Sequence, residues 1–77
     1  MNILGDNLKY HRENVGLSQA ELARKTQLSQ QAISLWEHGE RAPNIFACIT
    51  LADFYGISLD ELVGRDLEKP NIGDNYE

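Results

Sequence analysis

Residues 18–39 read SQAELARKTQLSQQAISLWEHG, and this stretch contains two helix-start signals in close succession. Ser18 and Ser29 are preferred N-cap residues, because a serine hydroxyl accepts a hydrogen bond from an amide in the first helical turn. A glutamate three residues after the first serine completes a capping box, and the final glycine suits a helix C-terminus. The stretch therefore predicts two short helices, 18–25 and 29–37, separated by only three residues.

The length of this turn decides how the two helices are arranged. So short a connection favours a large crossing angle over an antiparallel hairpin. Ala23 is small enough to allow close approach of the two helices, and Ile33 fills the angle between them. A helix held in this way can project its N-terminal end into the major groove of DNA, which is about 12 Å wide. The arrangement predicts a helix-turn-helix whose second helix reads bases.

The outward face of that second helix carries side chains that suit base recognition. Gln30 and Gln31 stand in its first turn, and a glutamine amide offers the donor and the acceptor that match adenine N7 and N6. Ser34 and Leu35 lie farther along the same face, so we take these four residues as base-reading candidates. The alternative is that the glutamine pair is only a solvated helix start. Gln19, at the start of the preceding helix, is placed to contact a phosphate beside the helix-end amides.

Three further helices are predicted around this pair from caps, periodicity and breakers. Their ranges are Ile3–Asn14, Ile45–Tyr55 and Leu59–Val63. No segment alternates between apolar and polar residues as a strand would. The expected fold class is therefore all-α, a compact five-helix domain over residues 1–65. Residues 66–77 are polar and acidic, and we expect them to form a flexible tail or a truncated linker.

Apolar spacing also predicts which helix faces are buried. The predicted buried face of the first helix comprises Leu4, Leu8, His11 and Val15. The predicted buried edge of the third helix comprises Ile33 and Trp36. A cluster in the fourth helix is expected to be mostly core, with its first member exposed: Phe46, Ile49, Phe54 and Tyr55.

Charge is unevenly distributed along the chain, whose net charge is −5. Residues 9–43 carry five basic and four acidic side chains, whereas residues 44–77 carry two basic and seven acidic ones. The first part can therefore still face phosphate. Cys48 is the single cysteine and cannot form an internal disulfide, so we expect a reduced, cytoplasmic protein. Neither a membrane-length apolar run nor a secretory leader is expected.

Three segments together resemble the lambda-repressor-like (Cro-type) helix-turn-helix family. They are GLSQAELAR at residues 16–24, LSQQAISLWEHG at residues 28–39 and LADFYGISLDEL at residues 51–62, and Pro43 also matches. The resemblance covers about residues 3–64 with hardly a gap. It implies five helices with the third as the reading helix, and dimeric binding to palindromic operators.

The resemblance also implies roles for individual residues. The positions implied to read bases or line the groove are Gln30, Gln31, Ser34 and Leu35. The expected phosphate contacts are Gln19, Ser29, His38 and Arg41. Arg12 and Glu37 match an ion pair that ties the first helix to the third. Gln27 stands where the family often has glycine in the turn.

The expected function is that of a sequence-specific DNA-binding transcription regulator, in particular a repressor that acts at the nucleoid as a homodimer. A single reading helix contacts about half a site. The dimer interface is expected to be an apolar patch in the second half of the chain: Phe46, Ile57, Leu59 and Val63. The alternative is a protein-interaction module, such as an antitoxin or an adaptor, which Glu40 and the acidic second half favour slightly.

Neither an enzyme active site nor a cofactor or metal site is expected. Ser18, Ser29 and Ser58 are helix caps rather than nucleophiles. Asp60 and Glu61 begin a helix and are not a catalytic carboxylate pair. The chain has two histidines and one cysteine without ligand spacing, which argues against a metal centre. The expected partners are therefore double-stranded DNA and a second copy of the chain.

Overall fold

Five α helices make up the part of the chain that the computed structural model describes, residues 3–65. They are α1 (Ile3–Asn14), α2 (Gln19–Thr26), α3 (Gln30–His38), α4 (Ile45–Tyr55) and α5 (Leu59–Val63). Residues 3–65 contain no strand, so the predicted all-α, five-helix fold is confirmed. The predicted acidic tail, residues 66–77, lies outside the described residues. Within the described range, every helix is too short or too polar to span a membrane.

Local caps determine where four of the helices begin and end. The N-cap residues of α2 to α5 are Ser18, Ser29, Asn44 and Ser58, and the side chain of each accepts a hydrogen bond from a backbone amide in the first turn. The same four helices end at residues with left-handed backbone. Because these signals lie next to the helix ends in sequence, the bounds of α4 and α5 agree with the prediction, and those of α1 agree as well. The observed α2 and α3 each run one residue past their predicted ends.

Gln27, which ends α2, adopts a left-handed backbone conformation with φ of 68°. This conformation costs a residue with a β-carbon about 1–2 kcal/mol. We predict that Gln27→Gly raises the free energy of unfolding by about 1 kcal/mol, because glycine's greater freedom in the unfolded chain offsets part of the relief. Urea unfolding measures the change. Lys9→Gly, at an exposed position inside α1, is the control and should lower stability by about 1 kcal/mol. Equal losses in both variants would show that the turn is not strained.

One hydrophobic core lies between the helices. Its most deeply buried side chains are Leu8, Leu22, Ile33, Leu51 and Leu62, which come from all five helices and are each at most 4% exposed. Cys48 and Ala52 of α4 complete this core. The Cys48 thiol is buried and free, and burial raises its pKa. The core therefore holds the α2–α3 pair against the other three helices.

Three apolar side chains that were predicted to be buried are exposed. Val15 is 51% exposed because α1 ends at Asn14, so Val15 is no longer in helical register. Ile49 and Phe54 are 41% and 38% exposed, so the prediction of a mostly buried cluster was wrong for them. The buried face of α4 is formed instead by mostly small residues at 47, 48, 51 and 52. Small side chains at these positions allow α4 to pack closely and turn its larger ones outward.

Candidate nucleic-acid interface

The α2–α3 pair presents the first turn of α3 at the molecular surface. Three residues connect the two helices, and Leu22 of α2 and Ile33 of α3 are both buried in the core. Gln30 and Gln31 are exposed. Ser34 and Leu35 are half-buried one turn further along. The two glutamine amides are therefore the most accessible of the four predicted base-reading groups.

Some polar groups at the C-terminal end of α3 make hydrogen bonds within the protein. The carbonyl of Leu35 accepts hydrogen bonds from the amides of Glu40 and Arg41, at 2.9 and 3.3 Å. His38 is exposed, and its Nδ1 lies 2.8 Å from the carbonyl of Ser34. Since a carbonyl only accepts, Nδ1 carries the hydrogen, and Nε2 is then an acceptor in the neutral ring. A phosphate contact by His38 Nε2 therefore requires the protonated ring, whereas the exposed Arg41 side chain is always charged.

A buried ion pair connects α1 to α3 behind the exposed face. Arg12 Nε and Nη2 donate to the two carboxylate oxygens of Glu37, at 2.7 and 2.8 Å. Arg12 Nη1 donates to the carbonyl of Leu17, at 2.8 Å. Both charged residues are only 8% exposed. This paired geometry fixes α3 relative to α1 and to the start of α2.

The pair also changes how its members titrate. Burial alone raises the pKa of Glu37, but the hydrogen bonds from Arg12 and Gln19 and the charge of Arg12 lower it by more. The pKa of Glu37 therefore lies below its ordinary value. The hydrogen bond to Glu37 raises the pKa of Arg12 against the opposing effect of burial. Both residues stay charged at neutral pH.

Gln19 is part of the same network, which the sequence did not reveal. Its Nε2 donates to Glu37 Oε1 at 3.0 Å, and the side chain is half-buried. The sequence predicted only an outward phosphate contact for this residue. An amide nitrogen has a second hydrogen, so the side chain can contact Glu37 and a phosphate together. No local signal links position 19 to position 37, because the contact depends on how α2 crosses α3.

A groove lies between α3 and α4, beside the first turn of α3. Ser29 and Asn44, the caps of the two helices, both line it, and Phe46 lines it as well. The Ser29 hydroxyl accepts from the amide of Ala32 at 3.1 Å, which leaves its own hydrogen available to a phosphate. Phe46 is 74% exposed, the largest exposed fraction among the large hydrophobic residues within residues 3–65.

The four predicted interface residues occupy two regions. Phe46 lies in the groove between α3 and α4, whereas Leu59 and Val63 lie on α5 and Ile57 just before it. Leu59 is 37% exposed. Ile57 and Val63 are half-buried, and Ile57 packs against the core. The described residues include no cluster of three or more side chains that could hold a metal ion.

The family model and the relatives that match this chain agree on one family. A helix-turn-helix family model matches residues 8–62. The HTH-type transcriptional regulator ImmR of Bacillus subtilis is 33% identical over 82% of this chain and 50% of its own length. The HTH-type transcriptional activator BcrR of Enterococcus faecalis is 33% identical over 79% of this chain and 30% of its own length. Repressor protein C2 of Salmonella phage P22 is 30% identical over 91% of this chain and 32% of its own length.

The chain spans half or less of the length of these three relatives. No solved structure matches it significantly. The segment matched by the family model runs from Leu8 in α1 to Leu62 in α5, so it contains the α2–α3 pair and the core residues that hold it. The family resemblance noted in the sequence is confirmed, and the chain belongs to the helix-turn-helix family of the lambda-repressor (Cro-like) type.

Proposed function

We propose that this chain is a sequence-specific DNA-binding transcription regulator, which reads bases with α3. The observation that carries the proposal is the exposed pair Gln30–Gln31 in the first turn of α3, a helix that the Arg12–Glu37 ion pair holds from behind. Bidentate glutamine contacts discriminate adenine in the major groove. Ser34 and Leu35 then face the groove wall, and Gln19, Ser29 and Arg41 contact phosphates. The family and the relatives indicate a DNA-binding regulator rather than an enzyme.

We infer that the regulatory role is repression, because repression requires only a surface that binds DNA. A domain that occupies an operator blocks access to a promoter without contacting any other protein. One relative is named a repressor and another an activator, so a transcription assay on the selected operator is the direct test. A protein with this role acts at the nucleoid, in the cytoplasm.

Selection of binding sites from a random DNA library, followed by a salt titration, tests DNA recognition. The logarithm of the binding constant should fall linearly with the logarithm of salt concentration, because each phosphate contact releases a counterion. The competing function is a protein-interaction module, which the exposed Glu40 after α3 and the acidic side chains of α5 favour. Failure to enrich any sequence, with no salt-dependent DNA binding, would favour that module.

We also propose that the domain binds DNA as a two-fold dimer through α5. A single small module buries only about 600–1,000 Å² on DNA, which limits specificity. Two-fold pairing places two reading helices about 34 Å apart, one turn of B-DNA, and requires a palindromic operator. Leu59 is the exposed apolar residue of α5, and the acidic side chains of Asp60 and Glu61 stand beside it. An apolar contact with acids at its rim fits two identical surfaces.

Leu59→Glu tests this dimer, because it puts like charges face to face at the interface without altering α3. On a full palindrome the unchanged protein should sediment as two chains per duplex, and Leu59→Glu should bind as one chain at the same concentration. Binding to an isolated half-site should be the same for both proteins. Ile3→Glu, at an exposed apolar position at the start of α1, is the matched control and should leave two chains per duplex. A one-to-one complex of the unchanged protein at saturation would refute the dimer and leave DNA binding intact.

A further inference from the structure

Tyr55, at the C-terminal end of α4, has a buried hydroxyl without a hydrogen-bond partner among residues 3–65. Its ring is half-buried and packs against the rings of His11 and Phe54, with centroids 5.8 and 5.3 Å away. Burial raises the pKa of Tyr55 to about 12, so its hydroxyl keeps its hydrogen at neutral pH. Buried hydroxyls in proteins are almost always hydrogen-bonded, because leaving one unpaired is costly.

A small cavity adjoins Tyr55 in the core. Its volume is about 10 Å³. Most of its wall is apolar, formed by Leu8, Leu22, Ile33, Trp36 and Leu51. The remaining lining residues are Glu37 and Tyr55. A cavity needs at least about 10–15 Å³ to hold one water molecule, and a buried water also needs at least two polar partners.

We propose that this cavity binds one water molecule, which accepts a hydrogen bond from the Tyr55 hydroxyl and donates one to the Glu37 carboxylate. The cavity is large enough for one water molecule, and both the donor Tyr55 and the acceptor Glu37 line it. The water extends the Arg12–Glu37–Gln19 network through the core to α4. Glu37 is then held from α1, from α2 and from α4, which limits movement of α3 relative to the rest of the domain. The water site does not depend on the identity of the DNA that the domain binds.

Tyr55→Phe removes the proposed donor and leaves the ring in place. If the water is bound, the variant leaves it with one partner, so the water is lost and the Glu37 carboxylate loses that donor, and the melting temperature should fall by about 4–8 °C. This is the shift expected when a domain of this size loses one ordinary buried hydrogen bond. Tyr10→Phe is the matched control, because Tyr10 is 58% exposed, and it should leave the melting temperature unchanged.

Oxygen-17 magnetic relaxation dispersion of the solvent measures the water directly, because it detects water molecules that reside in a protein for long times. Its amplitude should decrease by one molecule in Tyr55→Phe and stay constant in Tyr10→Phe. Trp36, the only tryptophan, lines the cavity, so its fluorescence reports whether the fold around the cavity is retained. An unchanged amplitude, or a melting temperature that stays the same or rises on removal of the hydroxyl, overturns the proposal.

Discussion

Glu37→Ala should lower the free energy of unfolding by about 3–5 kcal/mol, because it leaves the buried Arg12 charge without its partner. Removing the carboxylate strands the guanidinium at a position only 8% exposed, and Gln19 loses its acceptor as well. A domain of this size has only about 5–15 kcal/mol of stability in total. Urea unfolding followed by circular dichroism should therefore show a midpoint at a much lower urea concentration than that of the unchanged protein.

A double-mutant cycle isolates the interaction within the pair. Arg12→Ala and Glu37→Ala together should cost less than the sum of the two single changes, because the double variant leaves no unpaired charge. The exposed ion pair between Arg65 and Asp60, with 3.6 Å between its charged atoms, is the control, and Arg65→Ala should change stability by less than about 1 kcal/mol. Additive effects of the Arg12 and Glu37 changes would show that the buried pair is not coupled.

The same pair has a predictable pH dependence. The pKa of Glu37 is lowered in the folded state, so its contribution to stability is complete above the ordinary glutamate pKa, about 4.3. That contribution is lost as pH falls through the lowered pKa of the folded state. Glu37→Gln should therefore flatten the acid side of the stability curve relative to the unchanged protein. Equal slopes for both proteins below pH 4 would contradict the lowered pKa.

Gln30→Ala and Gln31→Ala should each cost about 1–3 kcal/mol of binding on the best DNA site, a loss of about fivefold to 150-fold in affinity. The physical reason is that a base-edge contact discriminates one base pair, so binding to random DNA should change little. Both residues are exposed, and neither side chain belongs to the core, so the fold should not change. Binding to the selected operator, to single-base variants of it and to random DNA measures the effect.

Arg41→Ala is the matched control for this experiment. Arg41 is also exposed, just after α3, but a phosphate contact carries no sequence information. This change should weaken binding about equally on all sequences and reduce the magnitude of the salt slope by about 1. If the glutamine variants behave like Arg41→Ala, with equal losses on specific and random DNA, the glutamines do not read bases.

Features that depend on neighbouring residues could be predicted from the sequence. The helix ends follow from caps such as Ser58 and from glycines such as Gly56, which act within one turn. The sequence also indicated the exposed faces of Gln30 and Gln31, because they directly follow the cap of α3. Family resemblance supplied the pairing of Arg12 with Glu37, which no local rule gives.

Features that depend on packing could not be predicted. The spacing of Ile49 and Phe54 is compatible with either face of α4, and the choice is made by small residues that pack against neighbouring helices. The bond between His11 Nε2 and the carbonyl of Glu61, 3.0 Å long, joins residues 50 positions apart. The contact of Gln19 with Glu37 likewise exists only once α2 crosses α3. Periodicity identifies an apolar face but does not identify its partner.

Because Cys48 is buried, the rate at which its thiol is alkylated reports how often the domain opens. A thiol reacts with an alkylating reagent as the thiolate, which burial disfavours, so Cys48 reacts through molecules that have transiently opened. The chain has one cysteine, so the rate of modification reports on one buried sulfur atom of the core. Anything that binds the closed form slows this rate in proportion to its occupancy. Alkylation of the unmodified protein can therefore measure DNA binding without a fluorescent label.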